Sequence, residues 1–91
     1  MSSKQVIYIG HVQGVGFRYT VKRIATGFDV VGWVKNLPNG NVEMQVKAED
    51  GEELQAFLDA IQESSLGGNI REVKIEDIAP TPGLRSFNIV Q

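Results

Sequence analysis

The sequence predicts an α+β fold, an antiparallel sheet with two helices packed on one of its faces. Two stretches repeat their apolar residues at helical spacing, and short β-branched or alternating runs flank and separate them. Glycine and proline punctuate the chain at short intervals, which suits tight loops inside one folded unit, and there is no internal repeat, low-complexity tract or linker. The 91 residues have room for one core at a radius of gyration of roughly 12 Å. They are too few for a doubly wound nucleotide fold or for an α/β barrel, which takes about 250. Residues 1–91 are therefore expected to form one domain.

Taken in order, Val6-Ile7-Tyr8-Ile9 ends at Gly10 and reads as a strand with apolar side chains on both faces. Gly10 to Gly16 is a glycine-punctuated loop. Phe17, Val21, Ile24, Ala25 and Phe28 then fall at i, i+4, i+7, i+8 and i+11, one face of a helix that Gly27 stops. Val30 to Lys35 predicts the second strand. In Leu37-Pro38-Asn39-Gly40 the proline presets φ and Asn-Gly accepts positive φ, so this segment is a turn. Val42, Met44 and Val46 alternate with Glu43, Gln45 and Lys47, giving a third strand with one wet face and a hairpin over residues 30–47. Asp50 is placed to cap the next helix, with Glu53 three residues on as in a capping box. Leu54, Phe57, Leu58 and Ile61 set the apolar stripe of that helix, over about Gly51 to Gln62. Gly67-Gly68 breaks the pattern.

Val73 and Ile75 alternate with Glu72, Lys74 and Glu76 in a fourth strand, Pro80 and Pro82 exclude ladder positions, and Phe87 to Val90 closes the chain as a short strand. The order is β-α-β-β-α-β with a short extra strand, the split βαβ or ferredoxin-like arrangement. Trp33 and Phe17 are expected in its core. Many unrelated functions use this fold, so function has to be argued from particular residues.

Composition narrows the chemistry. The formal net charge of −2 gives no electrostatic footprint for nucleic acid or an acidic membrane. Without cysteine there are no disulfides, thiolate nucleophiles or Cys-ligated metals, and the single histidine, His11, reads as a solvent-facing loop residue. Glu49, Asp50, Glu52 and Glu53 sit where a helix begins, so they read as a cap and not a metal cage. No metal or cofactor is expected. The longest apolar run near the start, Val6 to Ile9, is too short for a signal-peptide core or a membrane span, so a soluble cytoplasmic protein, monomeric by default, is the expectation.

Two places can carry chemistry. In Gly10-His11-Val12-Gln13-Gly14-Val15-Gly16-Phe17-Arg18, three glycines lie between a strand end and a helix start. Such a junction lets successive amide N–H groups converge, and the helix start adds unpaired donors and a positive dipole end. Arg18 stands in the first helical turn, against that dipole. Its planar fork suits an anion with paired oxygens such as phosphate. The other reading is a tight loop with a solvated arginine. The loop is not a Walker A motif, having no lysine, and Gly14-Val15-Gly16-Phe17-Arg18-Tyr19 departs from a dinucleotide fingerprint at Tyr19. The second place is Asn36, at a strand exit. There it is either a turn former or an amide that holds a water molecule by donor and acceptor together.

Gly10 to Arg18 resembles the first acylphosphatase signature, Gly-x-Val-Gln-Gly-Val-x-Phe-Arg, at every specified position. Gly32-Trp33-Val34-Lys35-Asn36-Leu37-Pro38-Asn39-Gly40-Asn41-Val42 is similar to the second, an aromatic-rich strand ending in asparagine before a glycine turn. With the strand order and the closing Phe87-Asn88-Ile89, the resemblance covers essentially the whole chain. One position departs: Ala48 stands where the second signature ends in glycine, at the exit of the third strand.

The resemblance implies hydrolysis of small-molecule acyl phosphates to a carboxylate and inorganic phosphate by direct attack of water. It implies that Arg18 binds the phosphoryl group with the amides of Gln13, Gly14, Val15, Gly16, Phe17 and Arg18, and that Asn36 orients the water. An acyl phosphate has a good leaving group, so positioning and charge stabilisation can suffice. Two other classes share the fold. A non-catalytic anion-binding or regulatory module has no reason to hold both Arg18 and Asn36 beside a glycine loop. An RNA-binding domain stacks bases on strand aromatics, and Asn41 to Lys47 has none.

Overall fold

The computed structural model describes the whole chain, Met1–Gln91. Its elements are β1 (Ser2–Gly10), α1 (Phe17–Ala25), β2 (Val31–Asn36), β3 (Val42–Ala48), α2 (Gly51–Glu63), a 3₁₀ turn (Ser65–Asn69), β4 (Ile70–Asp77) and β5 (Phe87–Val90). The strand order across the sheet is β4-β1-β3-β2-β5. The first four strands make the antiparallel ferredoxin-like sheet, and the Cα radius of gyration is 11.9 Å.

The expected all-antiparallel sheet needs one correction: β5 runs parallel to β2, with Gly32 opposite Phe87 and Val34 opposite Ile89. The reason lies in where the chain crosses. β4 finishes beside the start of β1, and the following segment traverses the sheet at that end. Ile78 N–H donates to Ser3 O at 3.1 Å, Lys47 Nζ to Thr81 O at 3.0 Å, and Gly32 N–H to Ser86 O at 3.0 Å. The chain thus arrives where β2 begins and can only run alongside it in the same direction.

A single core fills the space between sheet and helices. Val6, Tyr8, Val34, Val42, Met44 and Val46 face Phe17, Val21, Ala25, Leu54, Phe57, Leu58 and Ile61. Alternation along β3 is strict, with the apolar residues buried and the polar ones half-exposed. Phe57 packs its ring against Phe28 at 5.8 Å and Phe87 at 5.7 Å between centroids, which ties α2 to the turn after α1 and to the last strand. Trp33 is not part of this core. Its neighbours Gly32 and Val34 face the helices, so the period of two turns Trp33 to the opposite face, where Lys35 Nζ stands 5.5 Å from its ring centroid.

The boundaries differ from the sequence reading where pairing or capping takes over. β1 starts at Ser2 because Ser2 to Lys4 pair with Val46 to Ala48. α1 ends at Ala25, and Thr26, Gly27 and Phe28 donate to the carbonyls of Arg23, Ile24 and Ala25 in a tightened last turn. Asp50 caps α2 by accepting from Glu52 N–H at 2.9 Å, but the capping box is not closed, since Glu53 Oε2 accepts from Asp29 N–H instead. After α2, Ser64 Oγ accepts from Leu66 N–H and Leu66 is buried, so a 3₁₀ turn forms where only a break was expected. Ala48 ends β3, buried and opposite Ser2, at the far end of that strand from Asn36.

Candidate active site

β1, β2 and β5 all run in one direction, so Gly10, Asn36 and Val90 emerge at the same end of the sheet. α1 begins there too. A cavity of about 350 Å³ opens at this end, and both Arg18 and Asn36 line it with Gly14, Gly16 and Phe17, whereas Gln13 and Val15 of the expected set do not.

The start of α1 departs from the rules for a stable helix N-terminus. Its N-cap, Gly16, has φ 74 and ψ 22, makes no side-chain cap, and is followed by no acidic residue in the first turn. Gly14 has φ 76 and Val15 is not in the positive-φ region, so the sign of φ alternates over Gly14, Val15 and Gly16. Such alternation turns successive N–H groups toward one concave side. From Val12 through Tyr19, no backbone N–H donates to another protein group. His11 N–H bonds to Asn69 O before this run, and Thr20 N–H bonds to Gly16 O after it. A run of free donors at a helix start favours an anion.

Arg18 is half-buried, and its Nη1 donates to Val90 O at 3.2 Å. One carbonyl leaves most of the guanidinium donors free. β5 thus steadies the one cation that lines the cavity, a contact that no local pattern foreshadows. The carboxamide of Asn36 makes no hydrogen bond within the protein, so its donor and acceptor both stay available. Gln13 was expected to contribute its amide. Its side chain does something else: Nε2 donates to Leu37 O at 2.8 Å and Asn41 O at 2.9 Å.

The other candidates fall where the sequence placed them. His11 is exposed, and Glu49, Asp50, Glu52 and Glu53 surround the start of α2. No three His, Cys, Asp or Glu side chains converge as metal ligands. No helix is long and apolar enough to cross a membrane. Tyr8, beneath the site, packs its ring 5.2 Å from that of Phe17, and burial raises its phenol well above the ordinary range.

A ferredoxin-like sheet whose strand ends gather unpaired amides, a guanidinium and a free carboxamide defines a small α+β protein with one polar cavity at that end. Comparison with known proteins narrows that class. The acylphosphatase family model matches residues 4–89. An acylphosphatase of Listeria welshimeri is 49% identical over 82 residues, covering 89% of this chain and 87% of the relative. One from Bacillus licheniformis is 39% identical over 89 residues, covering 98% of each. The crystal structure of acylphosphatase from Bacillus subtilis superposes with a TM-score of 0.89 at 33% identity, over 100% of both chains. The chain belongs to the acylphosphatase family.

Proposed function

We propose that the protein is an acylphosphatase that hydrolyses carboxyl–phosphate mixed anhydrides to a carboxylate and inorganic phosphate by direct attack of water. The observation that carries this reading is the convergence of Arg18 and Asn36 on one cavity with Gly14, Gly16 and Phe17, whose amides are unpaired. The phosphoryl oxygens are cradled by the N–H groups of Gln13, Gly14, Val15, Gly16, Phe17 and Arg18, and the Arg18 fork offsets the charge that builds on them. The Asn36 carboxamide, offering a donor and an acceptor together, orients the attacking water in line with the bond that breaks. As the P–O bond to the acyl oxygen breaks, the carboxylate leaves with the bonding electrons. The water forms the new P–O bond and passes its proton to a phosphoryl oxygen.

A non-catalytic module would need the cradle but not the free carboxamide beside it.

Phosphate release from benzoyl phosphate tests the proposal. Asn36→Ala is expected to lower kcat by about 10²–10³ while phosphate affinity changes little, the usual result of removing one well-placed polar group. Arg18→Lys is expected to lose most of the activity with the fold intact, because an ammonium cannot reproduce the planar fork. An inert wild-type protein, or a fully active lysine variant, would overturn this reading.

A further inference from the structure

Gln13 lies in the middle of the glycine loop, half-buried, and its side chain points away from the cradle to which its backbone belongs. Both protons of its carboxamide are spent across the sheet end, on the carbonyls of Leu37 and Asn41, 24 and 28 residues further along the chain. Those carbonyls close the turn that follows Asn36. Leu37 N–H donates to Asn41 O at 2.8 Å, Gly40 N–H to Leu37 O at 3.2 Å, and Asn39 Oδ1 accepts from Asn41 N–H at 3.0 Å. Asn36 itself is the last residue of β2, paired with Val42. These are the hydrogen bonds that join the loop carrying the cradle to the turn carrying the carboxamide.

The consequence is geometric. The cradle is fixed by β1 and α1, whereas Asn36 is fixed by the hairpin. The sheet ladder sets their spacing as far as Val42, which pairs with both Tyr8 and Asn36, and past that point the Gln13 bonds carry the connection. A half-buried amide with both protons engaged is stiff enough to do so, and displacing a reacting group by about 1 Å can cost 10²-fold in rate.

We infer that the Gln13 side chain is a positioning residue, which holds the Asn36 carboxamide at its working distance from the phosphate cradle. This rests on the reading of Asn36 as the group that orients water. Gln13 touches neither water nor phosphoryl group with its side chain, and its backbone N–H stays in the cradle whatever side chain it carries.

The test is a double-mutant cycle of Gln13→Met and Asn36→Ala with benzoyl phosphate as substrate, and phosphate affinity measured on each protein. Methionine keeps the length and apolar stem and removes the donors. Gln13→Met is expected to lower kcat by about 10–100-fold and to leave the Kd for phosphate within about twofold. In the Asn36→Ala background the same substitution is expected to change kcat by less than about twofold, because the group it positions is gone. A full second loss in that background, or phosphate affinity falling in step with kcat, would overturn the inference.

Hydrogen exchange supplies a readout that needs no turnover. The Leu37 amide, which donates to Asn41 O, should exchange at least about tenfold faster in Gln13→Met, while Thr20, bonded to Gly16 O, should not change. An unchanged Leu37 amide would overturn the positioning role even in a protein that hydrolyses nothing. A wild type inert toward benzoyl phosphate would instead remove the catalytic reading. Should Gln13→Met fail to fold, Gln13→Glu serves in the same cycle: it keeps the chain length and, when ionised, meets the two carbonyls with no donor.

Discussion

Phosphate binding should be visible as added stability, and Arg18→Ala should remove most of it. A ligand that binds only the native state stabilises by RT ln(1 + [L]/Kd), about 1.4 kcal/mol at ten times Kd. In a domain of this size each kcal/mol raises Tm by roughly 4–8 °C, so wild type should gain about 6–11 °C in phosphate at that concentration. On the proposed reading two sets of donors would hold the anion, the free amides of the glycine loop and the Arg18 guanidinium. A hydrogen bond to a charged group is worth about 1.5–3 kcal/mol, so losing the guanidinium should weaken Kd by about 10–150-fold. At the same phosphate concentration the variant then keeps no more than about 0.4 kcal/mol, a shift of at most about 3 °C. The assay is a pair of thermal melts for each protein, in phosphate and in chloride at matched ionic strength. Each protein is its own reference, because Arg18→Ala also loses the bond to Val90 O and starts from a different Tm. Equal phosphate shifts in the two proteins would mean that the anion binds elsewhere, and the reasoning would fail.

Phe57 is fully buried between Phe28 and Phe87, so Phe57→Ala should cost about 3–5 kcal/mol, read as a fall in the denaturant midpoint; a loss below about 1 kcal/mol would show that the aromatic cluster is not central. A Cβ at Gly16 meets nothing within 4 Å, so Gly16→Ala should cost only the left-handed backbone penalty, about 1–2 kcal/mol, with Gly16→Asn milder; calorimetry of the two variants checks the order. Tyr8 holds its phenolic proton longer in the native state than in the unfolded chain, so its contribution to stability is complete below the ordinary phenol pKa of 10.0 and declines as pH rises beyond it. Urea titrations from pH 8 upward should therefore show a shallower alkaline decline for Tyr8→Phe than for wild type, and identical slopes would contradict the effect of burial.

Much of the molecule was readable from local pattern. The period of two in Val42, Met44 and Val46 and the helical spacing of Leu54, Phe57, Leu58 and Ile61 report which face is wet, and the structure buries all of these residues. The glycines around Val15 and the misplaced charge of Arg18 broke the rules for an ordinary helix start, and that conflict between neighbours in sequence pointed to the site. The role proposed for Asn36 rests on the resemblance to a signature, because an asparagine at a strand exit is otherwise a turn former.

What the chain by itself determined is everything set within a few residues: strand and helix periods, the αL glycines, the Asp50 cap, and the chemical character of the loop. Partners distant in sequence decided the rest. The direction of β5 depends on which sheet end the chain reaches after β4, and no local pattern carries that information. Trp33 went to the open face because alternation says which residues share a face but not which face the helices will cover. The Gln13 side chain found its acceptors only where the hairpin turn stands beside it, and the Arg18 bond to Val90 needed the fifth strand. A side-chain hydrogen bond forms with whatever acceptor the fold brings within about 3 Å, and across such separations only the assembled sheet specifies that acceptor.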